Sequence, residues 1–292
     1  MKTFILFFVL LFASNSYANE FLSVEPPELN DPELKGMQWN RYVSGRFTIL
    51  SVDDETGRNL AEVVNPIKSE ILSKWNFADF ELQHEIRIFC VPNQSILKKL
   101  FGTSEEKFEN RLDTEDKVLA IWITLPSGFS AKSPTIYAHI SQAVFSEYEA
   151  LSGIKLGYWF IEGARTLNGH PAAVKETLQP LASGVQSGEI FFSKSVLEMD
   201  KDTYLELSKE NKALYDAEAT ALCLMLRKEF GQVKLNSFFK NANHDYDAVF
   251  PKVYGFKNCK DFDSKFTVYL KDLSKCNTEG RIPSDYLTIE GK

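Results

Sequence analysis

Apolar positions change their rhythm along the chain. Residues 41–52 (RYVSGRFTILSV) have the β-branched and aromatic content of one or two strands, with Gly45 as the bend between them. Asp53-Asp54-Glu55-Thr56 supplies helix-start chemistry, because a short acidic side chain there accepts an orphan backbone N–H. The next apolar positions, Leu60, Val63, Val64, Ile67, Ile71 and Leu72, recur at steps of three and four, which predicts a helix ending near Trp75 and kinked at Pro66. Residues 85–91 (EIRIFCV) read as a second strand, 94–101 as a short helix and 117–125 (KVLAIWITL) as a third strand, with a charged loop over 103–116. From Pro134 onward only helical periodicity remains, over 135–151, 158–167, 172–184, 209–230, 233–241, 246–254 and 260–273. Strands first and helices afterwards predict an α+β fold, a small N-terminal sheet packed by helices and followed by an all-helical half. Residues 19–40 carry three prolines and read as an extended leader, and 274–292 read as a polar tail.

The start of the chain reads as an address. Lys2 precedes a ten-residue apolar run (FILFFVLLFA), and a polar stretch then ends in Ser16-Tyr17-Ala18, with small residues where a signal peptidase would inspect them. Residues 1–18 are therefore expected to be removed, giving an exported, soluble protein of the periplasm or the extracellular space. The run is shorter than the roughly 20 residues that span a bilayer, so no membrane span is expected after cleavage. Charge narrows the partners further. With 33 Lys and Arg against 40 Asp and Glu, and no basic run, the chain lacks the clustered cations that nucleic-acid binding needs.

Export permits disulfides, and four cysteines are available. Cys259 and Cys276 bracket the last predicted helix and are the pair offered for a disulfide tying the tail to it. Cys90 and Cys223 lie inside apolar segments, as a second bridge or as two buried thiols.

One constellation carries chemistry. His139 opens the segment His139-Ile140-Ser141-Gln142-Ala143 within the helix over 135–151, and Trp159-Phe160-Ile161-Glu162-Gly163-Ala164 opens the next helix. The arrangement resembles the peptidase MA-like proteins, zinc metallopeptidases of the gluzincin type, in which one helix carries HExxH and the next a Glu in a W-x-x-E-G context. The strands around 46–50 and 86–89, the helix from Tyr215-Asp216-Ala217-Glu218 to Glu229-Phe230-Gly231, and Phe238-Phe239 follow in the family's order. The resemblance spans residues 41–273 and implies a thermolysin-like catalytic-domain fold. It also implies that His139 and Glu162 stand at metal-ligand positions and that Trp159 and Tyr215 stand beside the binding cleft.

Physical chemistry says what is missing. Histidines at i and i+4 share a helix face and reach one metal, and a Glu at i+1 takes a proton from the metal-bound water. Ile140 occupies the position of that Glu and Ala143 that of the second His. Ile140 accepts no proton and Ala143 donates no lone pair. Loss of the general base alone removes about 10²- to 10⁴-fold in rate. The remaining pair is vestigial, and no resident cofactor is expected. Of the other histidines, His84, His170 and His244, only His170 lies close enough in sequence to Glu162 to refill the site, from just past the helix. Glu147, two turns along from His139, is too far around to chelate with it. In the plainer reading, His139 and Glu162 form a polar pair across two packed helices, or Glu162 pairs with Arg165 one turn on.

The expected function is therefore that of a catalytically inactive relative which binds a peptide or an exported protein in the former cleft. One rival is an active zinc-dependent peptidase or hydrolase with a rearranged site of His139, Glu162 and His170. The other is a structural or assembly protein of the cell envelope.

Overall fold

A computed structural model describes residues 27–282 apart from 33, 78, 103–106, 112–116, 125–133, 170, 192 and 243–244. The expected signal peptide, His170, His244 and residues 283–292 lie outside the described residues. No described helix is long and apolar enough to cross a membrane.

The fold is α+β. Strands β1 (Asn40–Ser44) and β2 (Phe47–Ser51) form an antiparallel hairpin, with Gly45 in the turn at φ +62°. Strand β3 (Glu85–Cys90) runs parallel to β2, and β5 (Val118–Ile123) runs parallel to β3. Between these two in sequence lies β4 (Lys107–Arg111), which pairs antiparallel with β5 and closes the order β1-β2-β3-β5-β4. This strand falls within the segment expected to be a charged loop. Its sequence, KFENR, has one apolar residue and no alternation to betray it, a composition suited to a sheet edge.

Alternation splits the central strands between two cores. Phe47, Ile49, Ile86, Ile88, Leu119 and Ile121 face the larger one with helix α1 (Asp54–Lys74). Leu50, Phe89, Ala120 and Trp122 face a smaller one with Ile96 and Leu97 of α2 (Gln94–Phe101). Both helix starts are capped as their sequences imply. Asp53 accepts the Thr56 N–H at 2.7 Å, and the Asn93 side chain accepts those of Ser95 and Ile96. The smaller core also takes Leu29 and Leu34, both almost wholly buried, with Met37 and Trp39 beside them. The second half of the expected leader is thus part of the domain rather than an approach to it, because its apolar residues cover a sheet face that α2 is too short to cover alone.

Helices α3 (Pro134–Ser152) and α4 (Tyr158–Asn168) stand where periodicity placed them. The helix expected over 172–184 is two, α5 (Pro171–Thr177) and α6 (Pro180–Ser187), because Pro180 restarts the chain as the first residue of a new helix. Two short helices that the pattern does not announce follow, α7 (Ser193–Glu198) and α8 (Lys201–Glu206). Helix α9 (Lys209–Phe230) is buried from Tyr215 to Leu226 apart from Asp216, and it packs on α4, α6 and α10 (Gln232–Ala242). Helices α11 (Tyr246–Tyr254) and α12 (Cys259–Thr278) complete the helical half.

Two boundary expectations change. Helix α12 runs on to Thr278, with Ser274 buried and Ile282 in the main core, so the polar tail begins later than residue 274. Cys259 and Cys276 sit at opposite ends of that one helix, about 25 Å apart at 1.5 Å of rise per residue, far beyond the ~7 Å Cα separation a disulfide tolerates. The two cannot bridge within the chain. Cys90 and Cys223 are buried thiols, and burial pushes Cys90 up to about 12.

Candidate functional site

Helix α3 presents two faces of opposite character. Ile136, Ile140, Ala143 and Val144 are buried in the main core, Ile140 at 1% exposure and Ala143 at 0%. Around the helix, His139, Gln142, Ser146 and Glu149 recur at steps of three, four and three, so they share one stripe, and all four are half-buried. The positions that the resemblance assigns to a catalytic Glu and a second His are therefore occupied by residues packed in the hydrocarbon interior.

The polar stripe runs into a cavity of about 340 Å³ between α3, the 153–157 connection, the first turn of α4 and the α7–α8 segment. Gln142, Ser146 and Glu149 form one wall, Tyr158 and Ile161 a second, and Leu197 and Met199 a third. Glu198, Asp200, Lys155 and Lys201 stand at its mouth, all exposed. Glu149 is positioned by backbone: its Oε1 accepts the Leu156 N–H at 2.6 Å, and its carboxylate also accepts the Gly157 N–H. Gly157 is the N-cap of α4 and no side chain caps the helix there; Glu149 instead fixes the backbone that leads into it. Burial raises the Glu149 carboxyl above its ordinary range, against the two N–H groups and Lys155.

Behind the Tyr158 wall lies a second cluster. Glu162 is 3% exposed and meets Arg165 one turn on, Nη2 to Oε2 at 2.6 Å. Asp216 of α9 is close enough to feel both, and Tyr204 of α8 donates its hydroxyl to Asp216 at 3.2 Å. The rings of Tyr158, Tyr204 and Tyr215 close over these charges, with centroids 5.1, 5.4 and 6.2 Å apart. Burial, then Glu162, pushes Asp216 up to about 6, with Arg165 opposing. Desolvation works against the Arg165 charge, but Glu162 and Asp216 overcome it and hold the guanidinium protonated. Burial likewise raises all three tyrosine hydroxyls, so they act as donors.

The family's zinc does not fit these residues. Glu162 is engaged by a guanidinium, Ile140 and Ala143 offer no donor, and among the described residues no three His, Cys, Asp or Glu side chains converge as a metal requires. The pairing of Glu162 with Arg165, expected in the plainer reading, is realised.

Two expected cleft residues stand elsewhere. Trp159 is fully buried among Phe160, Phe238 and Phe239, and Tyr215 is fully buried with its hydroxyl donating to the Val196 carbonyl at 3.3 Å. Neither lines the cavity; Tyr158, the residue before Trp159, does. Glu147, also on α3, is wholly buried. It accepts the backbone N–H groups of Gln83 and His84 and contacts the His84 ring at 3.2 Å, fastening the entry to β3 onto α3. The stripe of Gln142, Ser146 and Glu149 was open to sequence reasoning through its spacing. The wall contributed by α7 and α8 was not, because those helices are single turns with no periodicity to read. The chain matches no protein-family model and no curated protein.

Proposed function

We propose that the protein is an exported binding protein on a degenerate peptidase MA-like scaffold, and that it holds an extended peptide without cleaving it. The observation that carries this reading is the placement of β4. Among the described residues it is an edge of the sheet, paired antiparallel with β5, and it packs beside α3, the helix whose half-buried polar stripe runs into the cavity. An edge strand offers a row of backbone donors and acceptors that a peptide completes by adding a strand, while a neighbouring cavity accepts one of its side chains. Cleavage is disfavoured on donor chemistry, since Ile140 and Ala143 supply neither a proton acceptor nor a metal ligand.

The test uses the chain lacking residues 1–18, immobilised and presented with a random dodecapeptide library. The reading expects a retained subset that is eluted intact by mass spectrometry, and that is lost when alternate backbone nitrogens of the peptides are methylated. Retention of no peptide overturns it, and recovery of cut peptides revives the hydrolase.

A further inference from the structure

We propose that the cavity between α3, α4 and the α7–α8 segment is a pocket for a basic side chain, lysine or arginine, with Glu149 as its counter-charge. This deepens the peptide-binding reading and rests on it. Size comes first. About 340 Å³ lies at the small end of ligand pockets, enough for one long side chain and too little for a folded partner.

The lining then selects which side chain. Ile161, Leu197, Met199 and the Tyr158 ring give apolar walls along which a methylene stem lies, and the tyrosine face attracts a cation. The one charged group built into the wall is a carboxylate. Glu149 is half-buried and its orientation is fixed by the backbone N–H groups of Leu156 and Gly157. Its carboxyl is raised by burial in spite of those bonds and of Lys155, so it is under-compensated and gains from an incoming cation.

The charges at the mouth do not reverse this. Lys155 and Lys201 are exposed on flexible stems, and they are outnumbered by Glu149, Glu198 and Asp200. An acidic side chain entering past them would meet the Glu149 charge in the interior. Glu198 is itself drawn outward, 3.6 Å from Lys194, and Asp200 is occupied in capping α8 through the Thr203 N–H at 2.8 Å. Glu149 is left as the anion that faces the interior of the pocket.

Three dodecapeptide libraries test the assignment, random except for one central position fixed as arginine, norleucine or glutamate. Against the chain lacking residues 1–18, the arginine library is expected to be retained about tenfold better than the norleucine library, and the glutamate library least. Glu149→Gln keeps an oxygen for the Leu156 N–H, so the fold stands, which an unchanged melting temperature checks. That variant should lose the arginine preference and retain the arginine and norleucine libraries alike. Equal retention of all three libraries, a preference for glutamate, or an arginine preference that survives in E149Q overturns the pocket assignment and leaves peptide binding intact. Retention of none overturns both.

Discussion

Glu218 on α9 is wholly buried, and among the described residues its one hydrogen bond is from the Phe191 N–H, which Oε1 accepts at 2.9 Å, with Oε2 unpartnered. Burial pushes its carboxyl up to about 8, opposed only by that N–H. Asp216, two residues back, is pushed up to about 6. For both groups the folded chain holds its proton more tightly than the unfolded chain, so their contribution to stability is fully present below about pH 4 and is lost as pH rises through 6 to 8. At pH 7 the Glu218 shift corresponds to roughly 3 kcal/mol of lost stability. Melting temperature is therefore expected to fall between pH 5 and pH 8. In Glu218→Gln, which keeps the oxygen that accepts from Phe191, most of that slope should disappear while the value at pH 5 changes little. Thermal melts across the window check this; parallel curves for the two proteins would remove Glu218 as the titrating group.

At the scale of elements, α4 and α9 make the most extensive contact in the helical half, and a glycine permits it. A Cβ on Gly163 would stand 2.5 Å from the Ala219 carbonyl oxygen and 2.7 Å from the Cys223 sulfur. The sulfur has room to rotate; the backbone oxygen does not. Gly163→Ala gains about 1 kcal/mol in helix propensity but must push two buried helices apart, an overpacking that costs typically 1–3 kcal/mol and more where backbone must move. A net loss follows, read in urea as a lower midpoint at unchanged slope. Because Glu162 and Tyr158 sit on the same helix, the displaced α4 should also weaken retention of library peptides; a midpoint equal to that of the parent chain would contradict the packing argument. The elements that were legible are those with a strong period. Helix α9 and helix α11 match their expected limits, since apolar residues recur through their whole lengths. Strand β4 was illegible because KFENR has one apolar residue and no alternation, and helices α7 and α8 because six residues are too few to show a helical period. The site inherits the same division: Glu162 and the α3 stripe were readable, while the inward turn of Trp159 and Tyr215 was not, because helical phase says which residues share a face and not which neighbour that face meets.

The described residues are layered, with α1 and α3 on one face of the sheet and α2 with Leu29, Leu34, Met37 and Trp39 on the other. That second layer was missed in the sequence because Leu29, Leu34, Met37 and Trp39 are scattered among prolines and charges and follow no period. Its work is nevertheless measurable. Phe89 stacks on Trp122 at 4.0 Å, and Trp39 meets the edge of Phe89 at 6.4 Å, so the N-terminal segment caps an aromatic stack at the centre of the sheet. Two shortened chains separate this from a loose leader. A chain lacking residues 1–26 retains the layer and should melt as the chain lacking residues 1–18 does. A chain lacking residues 1–39 exposes Leu50, Phe89 and Trp122 together, and should lose several degrees and bind a hydrophobic dye. Leu34→Ala in the chain lacking residues 1–18 gives the graded version, a loss of about 2–5 kcal/mol for a leucine that is 1% exposed. The sheet face toward α3 is untouched by either change, so peptide retention measured well below the melting temperature should persist in Leu34→Ala. If the two shortened chains instead melt together, residues 27–39 lie on the domain without stabilising it, and the domain begins at β1 as its sequence pattern alone would place it.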